Sequence, residues 1–195
     1  MARTYSRMVE LGTTAPPFRL ATCNPSVDKV DAAYRSLNDF VDARAVVIMF
    51  ICNHCPFVKH VQPELVRIAQ DYSTMGVQFI AINSNDAAAY PADSFEAMTA
   101  DAERLGYPFP YLYDETQEVA LAYGAEATPD FFVYDSLRRL VYRGRLDSSR
   151  PGQGEPNGSD LRTALDELLA TGLVGSEQHP SLGCNIKWRP APAVR

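Results

Sequence analysis

The sequence predicts an α/β protein with a central mixed β-sheet and helices on both faces. Residues 45–51 and 77–83 are mostly apolar, which is typical of parallel strands that are buried on both faces of a sheet. Each is followed by a segment whose apolar residues recur at helical spacing. Residues 131–134 and 140–143 are close enough in sequence to form an antiparallel hairpin. Parallel β-α-β units followed by such a hairpin and a last helix build a mixed sheet.

The other elements follow from apolar spacing and from the positions of glycine and proline. The helix after the first buried strand is predicted over 57–71, and Pro63 is expected to kink it. The last helix is predicted from about Ser159 to Gly172, with leucines along one face. The rest of residues 1–40 and the tail after Gly172 are expected to be irregular. The remaining predictions are a strand at 18–20, a helix at 93–105, a strand at 110–113 and a helix at 115–123.

Length, composition and charge restrict the class of protein. A chain of 195 residues, of which 46% are hydrophobic, fits one globular domain over 1–195, with a core at about 10–172 and an irregular tail at 173–195. The net charge of −6 argues against a nucleic-acid partner, because phosphate binding requires clustered positive charge. No apolar stretch reaches about 18 residues, and the N-terminus lacks an apolar signal core. We therefore expect a cytoplasmic protein without a membrane partner, while its oligomeric state is not predicted.

The segment Cys52-Asn53-His54-Cys55 carries the strongest functional signal. It lies between the predicted strand at 45–51 and the predicted helix at 57–71. The N–H groups of a helix N-terminus carry partial positive charge, which favours the thiolate of a nearby cysteine, expected here to be Cys52. Cys55 follows one helical turn later, so the two sulfurs can close a disulfide. This arrangement predicts redox chemistry in which the disulfide is the redox group and no other cofactor is needed.

A zinc site is the alternative interpretation of the same two cysteines. Structural zinc requires four ligands, usually from two Cys-x-x-Cys pairs or from closely spaced histidines. This chain has one such pair, two distant cysteines, Cys23 and Cys184, and three histidines. We therefore expect no metal. A redox-inert or zinc-binding module is kept as the alternative from a different functional class.

With these residues the chain resembles the thioredoxin superfamily, and within it the peroxiredoxin-like redoxin branch. The resemblance covers about residues 10–172 and rests on three places, namely the Cys-Asn-His-Cys motif, Ala127-Thr128-Pro129 before the strand at 131–134, and the entry segment Gly12 to Leu20. It implies a thioredoxin-like fold. It also implies that Pro129 follows a cis peptide bond, and that Thr128 and Pro129 lie against the active-site disulfide.

The resemblance implies a thiol-disulfide oxidoreductase that exchanges electrons through Cys52 and Cys55. Cys52 would attack a disulfide of a protein or a small molecule, Cys55 would resolve the mixed disulfide, and an electron donor that the sequence does not identify would restore the thiols. A protonated His54 would stabilise the Cys52 thiolate, so we expect this pair to be more oxidising than that of thioredoxin. The alternative on the same fold is an antioxidant thiol peroxidase that reduces peroxides through a sulfenic acid, and the Cys55-Pro56 dipeptide favours it.

Three other positions bear on the mechanism. Val46 stands where thioredoxins usually carry a buried acidic residue, so the usual proton acceptor is missing from that position. Cys184 is either a third redox cysteine that reaches the active site or an inert buried thiol, and the sequence does not decide between them. Cys23 lies in a predicted loop, where a passive role is favoured.

Overall fold

A seven-stranded mixed sheet forms the centre of the molecule in a computed structural model that describes residues 3–27 and 32–190. A separate three-stranded sheet lies at its edge. The strands are β1 (Arg3–Tyr5), β2 (Arg19–Thr22), β3 (Tyr34–Ser36), β4 (Ala45–Phe50), β5 (Val77–Asn83), β6 (Tyr111–Tyr113), β7 (Ala127–Thr128), β8 (Asp130–Asp135), β9 (Leu140–Gly144) and β10 (Leu182–Asn185). The α-helices are α1 (Pro56–Ser73), α2 (Phe95–Leu105), α3 (Glu118–Tyr123) and α4 (Ser159–Thr171), with short 3-10 helices at Leu37–Phe40 and Pro91–Asp93.

The order of the strands confirms the predicted mixed sheet. The large sheet runs β3-β2-β6-β5-β4-β8-β9. β4 pairs in parallel with β5, and β5 in parallel with β6, as expected for β-α-β units. β8 pairs antiparallel with both β4 and β9. The carboxyl end of β4 therefore lies in the middle of the sheet, where open α/β sheets build their sites.

Strand β4 is buried on both faces, as its apolar sequence predicts. Its six residues are fully buried and their side chains alternate between two hydrophobic clusters. Val47 and Met49 pack in the cluster that holds α1, α2 and α4. Ile48 and Phe50 pack in the cluster that holds α3 and the 3-10 helix at Leu37–Phe40. Burial of a side chain of this size contributes about 1.5–3 kcal/mol, so β4 is a rigid support for the residues that follow it.

Local signals in the sequence explain where the helices begin. Pro56 occupies the first position of α1, where a missing N–H costs nothing because that N–H has no partner within the helix. The side chain of Ser94 caps α2 by accepting a hydrogen bond from Ala97 N–H. The helices predicted at 93–105 and 115–123 therefore start later than expected, since a 3-10 helix and a turn occupy their first residues.

The expectation of an irregular tail and lead-in was wrong for β10 in the tail and for β1, β3 and the 3-10 helix at Leu37–Phe40 in the lead-in, whereas the rest of the described tail contains no helix or strand. β10 is the central strand of the small sheet, with β1 on one side and β7 on the other. It is held there by pairing partners that are distant in sequence. Ile186 is buried behind β10, whereas Trp188 keeps 39% of its surface exposed. The tail is thus part of the folded structure around the end of β4.

No helix in the part of the chain that the structure describes is both long and apolar enough to span a bilayer.

Candidate functional site

The two cysteines of the motif lie at the junction of β4 and α1. Cys52 follows the end of β4 by two residues, and Cys55 is the residue that caps α1. Both are buried free thiols. The site is therefore formed by the connection between the central strand and the helix that packs on it.

Thr128 contacts both sulfurs from the opposite side. Cys52 Sγ lies 3.3 Å from the Thr128 hydroxyl oxygen, and Cys55 Sγ lies 3.2 Å from the Thr128 carbonyl oxygen. The bond between Thr128 and Pro129 is cis. The structure thus brings together the motif and the Thr-Pro pair, which are more than seventy residues apart in sequence.

Cys184 is a third thiol in contact with this pair. Its Sγ lies 2.8 Å from Cys55 Sγ. It is placed there by β10, in which Cys184 stands directly opposite Thr128. Gly183 allows β10 to lie close to Thr128, because a Cβ at that position would lie 2.0 Å from the Thr128 carbonyl oxygen. The sequence left open whether Cys184 is a third redox cysteine that reaches the active site or an inert buried thiol, and the structure places its sulfur in contact with the motif.

The electrostatic environment separates the two motif cysteines. The pKa of Cys55 is lowered well below its ordinary value, because hydrogen bonds with the side chains of Cys184 and Cys52 stabilise its thiolate form. The Val58 N–H in the first turn of α1 adds a smaller contribution. The pKa of Cys52 is raised by its hydrogen bond to Cys55, by burial and by the charge of Asp93. We expected the helix N-terminus to act on Cys52; it acts on Cys55 instead, because Cys55 is the capping residue.

His54 is held by a buried carboxylate that the sequence did not predict. Its Nδ1 lies 2.5 Å from Asp93 Oδ2, and its ring stacks on Tyr90 with 5.3 Å between ring centroids. Asp93 also accepts hydrogen bonds from the Asn53 backbone N–H and from the side chain of Asn85. The carboxylate therefore fixes both the backbone of the motif and the orientation of its histidine.

The same network connects the motif to the tail. Asn85 donates to Asp93 through Nδ2 and accepts from the Lys187 backbone N–H through Oδ1. The backbone of Asp86 donates to the carbonyl oxygen of Lys187. The residues that follow β5 thus anchor the chain just beyond β10, which keeps Cys184 beside Cys55.

Cys52, His54 and Asp93 also form a candidate ligand set for a metal ion. One ligand atom from each lies within 4.8 Å of the other two. Cysteine, histidine and carboxylate are all zinc ligands. However, both carboxylate oxygens of Asp93 already accept hydrogen bonds. A bound ion would have to displace some of these, so the arrangement fits a hydrogen-bonded His54–Asp93 pair beside Cys52 better than a preformed metal centre.

Cys23 lies apart from this group, as its predicted passive role requires. Its thiol donates a hydrogen bond to the Tyr111 carbonyl oxygen at 3.1 Å. Burial raises the pKa of this thiol to about 12. A protonated thiol that is bonded to a backbone carbonyl, with no other cysteine among its described hydrogen-bond partners, fits the passive role predicted for Cys23.

Sequence patterns gave no indication of Asp93 or Tyr90. Asp93 lies 39 positions after His54 and just before a helix, where an acidic residue indicates helix capping. The contact depends on the path of the chain between β5 and α2. The sequence showed only that the usual acidic residue is missing at Val46, and it did not indicate which residue could replace it.

Comparison with known proteins places these features in a family. Residues 10–165 match the model of the Redoxin family. Among curated proteins no match is found. An uncharacterised conserved protein from Geobacillus kaustophilus is 56% identical, with a TM-score of 0.91 and 98% of each chain covered. A hypothetical protein from Sinorhizobium meliloti is 45% identical, with a TM-score of 0.90, covering 96% of this chain and 100% of that one.

A more distant structure confirms the thioredoxin-like fold. The thioredoxin domain of a thiol-disulfide oxidoreductase from Bacteroides vulgatus is 16% identical, with a TM-score of 0.62, covering 83% of this chain and 99% of that one. This likeness concerns the fold alone. The family match extends over most of the chain and includes the β4–α1 junction and the cis-proline. The chain belongs to the Redoxin family.

Proposed function

We propose that this protein is a thiol-disulfide oxidoreductase that exchanges electrons through Cys52 and Cys55. The observation that carries the proposal is the convergence of both sulfurs on Thr128, beside the cis bond to Pro129. A second support is the low pKa of Cys55. A thiolate next to a thiol is the reactive form of such a pair.

The geometry suggests a role for each group in the exchange. Cys52 attacks one sulfur of a substrate disulfide, and its proton passes to His54, which Asp93 orients. A bond forms between Cys52 and that sulfur, and the other substrate sulfur leaves as a thiolate. The Cys55 thiolate then attacks Cys52 Sγ, closes the Cys52–Cys55 disulfide and releases the remaining substrate thiolate. The lowered pKa of Cys55 suits this second step, because it increases the fraction of the resolving sulfur that is a thiolate.

A redox titration with peptide mapping tests this proposal. The reduced protein is equilibrated in buffers of defined potential, and the fraction of Cys52–Cys55 disulfide is measured by mass spectrometry. We expect one two-electron transition, at a potential above the value of about −270 mV found for thioredoxin, because a stabilised thiolate favours the reduced form. The matched variants Cys52→Ser and Cys55→Ser should lose the transition, whereas Cys23→Ser should keep it. A pair that stays reduced under all conditions would falsify the proposal.

A thiol peroxidase is the second candidate, and the surroundings of Cys55 favour it. A low-pKa thiolate in contact with two other thiols can form a sulfenic acid that a neighbour resolves with loss of water. The test is the rate at which the reduced protein consumes one equivalent of hydrogen peroxide. A rate far above that of a free thiol would make peroxide the substrate; a rate equal to that of a free thiol would leave the disulfide reaction as the function.

A zinc-binding module is the third candidate, from a different functional class. It is supported by the close approach of Cys52, His54 and Asp93. Metal analysis of the purified protein decides this point. Stoichiometric zinc that is lost in Asp93→Asn would replace the redox proposal, since zinc would occupy the Cys52 sulfur.

A further inference from the structure

Cys184 lines a cleft that also borders Pro56, the residue directly after the motif. The cleft has a volume of about 500 Å³, and its walls include Phe57, Arg150, Gln153 and Arg3. Cys184 is one of the lining residues although only 3% of its surface is exposed, and its Sγ lies 2.8 Å from Cys55 Sγ. A single residue therefore borders the cleft and contacts the buried cysteine pair.

The charge and size of the cleft indicate which ligand it fits. Arg3 and Arg150 are cationic, and no carboxylate is among its lining residues in the described part of the chain. Guanidinium groups bind carboxylates with directed hydrogen bonds. A volume of about 500 Å³ is within the range of small-molecule sites. The cleft therefore fits a small thiol that carries carboxylates.

The pairing of β10 argues against an extended polypeptide as the partner at this place. The free edge that β7 would offer beside the cis-proline is already paired with the protein's own strand, with Cys184 opposite Thr128 and Asn185 opposite Ala127. β1 covers the other side of β10, with Arg3 opposite Cys184. Neither edge of β10 is available for strand addition by another chain.

We propose that Cys184 is a third redox thiol, which takes the disulfide from Cys55 and transfers it to a small anionic thiol bound in the cleft. This inference rests on the proposed function, because it begins from the Cys52–Cys55 disulfide. Cys184, as a thiolate, attacks Cys55 Sγ. The Cys55–Cys184 bond forms, the Cys52–Cys55 bond breaks, and Cys52 leaves as a thiolate that takes up the proton lost by Cys184.

The second half of the proposed reaction takes place in the cleft. A small thiolate attacks Cys184 Sγ and forms a mixed disulfide, while Cys55 leaves as a thiolate. A second small thiol then attacks the small-molecule sulfur of that mixed disulfide, releases the Cys184 thiol and leaves as a symmetrical disulfide. Two small thiols are oxidised for each protein disulfide reduced, so electrons and protons balance. Substrate thus reacts at Cys52 and the reductant at Cys184.

The first test isolates the contact between Cys55 and Cys184. Cys52→Ser is treated with one equivalent of diamide, and its peptides are mapped without reduction. We expect an intramolecular Cys55–Cys184 bridge, because the two sulfurs need to approach by only about 0.8 Å to reach the disulfide bond length of about 2.05 Å. The matched control, Cys52→Ser combined with Cys184→Ser, should form no bridge. A Cys52→Ser protein that stays reduced, or forms only intermolecular bridges, overturns the proposal.

The second test concerns the cleft and uses glutathione, which carries two carboxylates, with neutral 2-mercaptoethanol as the comparison. Reduction of the preformed disulfide by glutathione should slow by tenfold or more in both Cys184→Ser and Cys184→Ala. It should slow on the order of fivefold in Arg150→Glu, with 2-mercaptoethanol little affected. Arg104→Glu, on the exposed face of α2, is the control with the same charge change. Equal glutathione rates in wild-type and all of these variants overturn the proposal.

The two proposals fail in different experiments. Formation of the Cys52–Cys55 disulfide in the wild-type protein reports the proposed function. Formation of the Cys55–Cys184 disulfide in Cys52→Ser reports the third thiol. Thermal unfolding of each variant shows whether it is folded, and the use of both Ser and Ala at position 184 separates the loss of the sulfur from a packing defect.

Discussion

Cys23 and Cys184 are both buried cysteines outside the motif, yet their surroundings differ completely. The thiol of Cys23 faces the Tyr111 carbonyl oxygen on β6, and no other cysteine is among its hydrogen-bond partners in the described residues. The sulfur of Cys184 faces the sulfur of Cys55, and Cys184 is one of the residues that line a cleft. Both have a raised pKa, in each case partly from burial. Burial and pKa therefore do not distinguish an inert thiol from a candidate redox thiol, whereas the neighbouring group does.

The raised pKa of Cys184 also has a cause that Cys23 lacks. The largest contribution comes from its hydrogen bond to Cys55. That contribution requires a reduced Cys55 and disappears when Cys55 enters a disulfide. We therefore expect Cys184 to be less nucleophilic while the pair is reduced than when Cys55 is part of a disulfide.

The largest effect is expected for alkylation of Cys23 in the native protein. Its pKa of about 12, against an ordinary value of 9.0, lowers the thiolate fraction at pH 8 by roughly 1000-fold. Iodoacetamide labelling followed by mass spectrometry measures the rate. The rate should rise about tenfold for each pH unit up to that pKa, and unfolding in guanidinium should restore the rate of a free thiol. Fast labelling of Cys23 in the folded protein at pH 8 would remove the basis of the comparison.

A second prediction concerns a variant in which Cys184 is displaced although no cysteine is replaced. Gly183→Ala would place a Cβ 2.0 Å from the Thr128 carbonyl oxygen and 2.6 Å from its carbon. Because backbone atoms cannot move aside cheaply, we expect a loss of about 2–3 kcal/mol in the free energy of unfolding. The Cys55–Cys184 bridge should also form more slowly in the Cys52→Ser background. Chemical denaturation and peptide mapping measure the two effects.

The control for that change is Gly175→Ala, since nothing lies within 4 Å of a Cβ there. We expect Gly175→Ala to change the free energy of unfolding by less than about 0.5 kcal/mol. The rate of Cys55–Cys184 bridge formation should stay the same within experimental error. If Gly183→Ala were as harmless as Gly175→Ala, β10 would not be packed against Thr128 as described.

A third prediction separates the charge of Asp93 from its role in holding His54. Asp93→Asn should increase the alkylation rate of Cys52 severalfold, because the negative charge that raises the pKa of Cys52 is removed. Exchange with small disulfides should nevertheless slow, because His54 loses its carboxylate partner. The free energy of unfolding should fall by about 1–3 kcal/mol.

Asp114→Asn is the matched control for this change. Asp114 is an equally buried carboxylate that accepts hydrogen bonds from Ser84 and Ala120, away from the motif. Asp114→Asn should lower the free energy of unfolding to a similar extent without altering the alkylation rate of Cys52. Opposite effects on alkylation and exchange, confined to Asp93→Asn, support the assigned role; parallel effects in both variants refute it.

The smallest effect is expected in the reduction potential of the Cys52–Cys55 pair. Cys184→Ala removes a hydrogen-bond donor from the Cys55 thiolate, a loss of about 1 kcal/mol. This corresponds to a potential about 20 mV more negative. Cys23→Ala should leave the potential unchanged. Titration of the three proteins side by side against the same buffers resolves such a difference, and an equal shift in both variants would point to a general loss of packing.

Much of the fold could be predicted because its signals are local. The apolar runs of β4 and β5 and the leucine face of α4 follow directly from residue order. β10 could not be predicted in this way. It is short and contains Gly183, which weakens strand propensity. It is stabilised by pairing with β1, which lies at the other end of the chain, and with β7, which lies more than fifty residues upstream.

The residues of the candidate site also divide into those with a local sequence signal and those without one. Cys52, Cys55, Thr128 and Pro129 could be found because the motif and the Thr-Pro pair are short patterns with known neighbours in the fold. Asp93 and the contact of Cys184 with Cys55 depend on how loops and the tail pass over the end of β4, for which no spacing rule exists. His54 belongs partly to each group, because its place in the motif was predicted from the sequence but its contact with Asp93 was not.

The order in which the ribosome releases the chain gives the position of β10 a further consequence. Cys52, Cys55 and Thr128 all emerge before residue 182, so a growing chain can assemble the two-cysteine site while the third cysteine is still unmade. During that interval β1 has no strand to pair with, and the edge of β7 is uncovered. Completion of the last strand closes both edges in one step and brings in the third sulfur. A chain that has not yet reached residue 182 therefore lacks the third sulfur of this cluster.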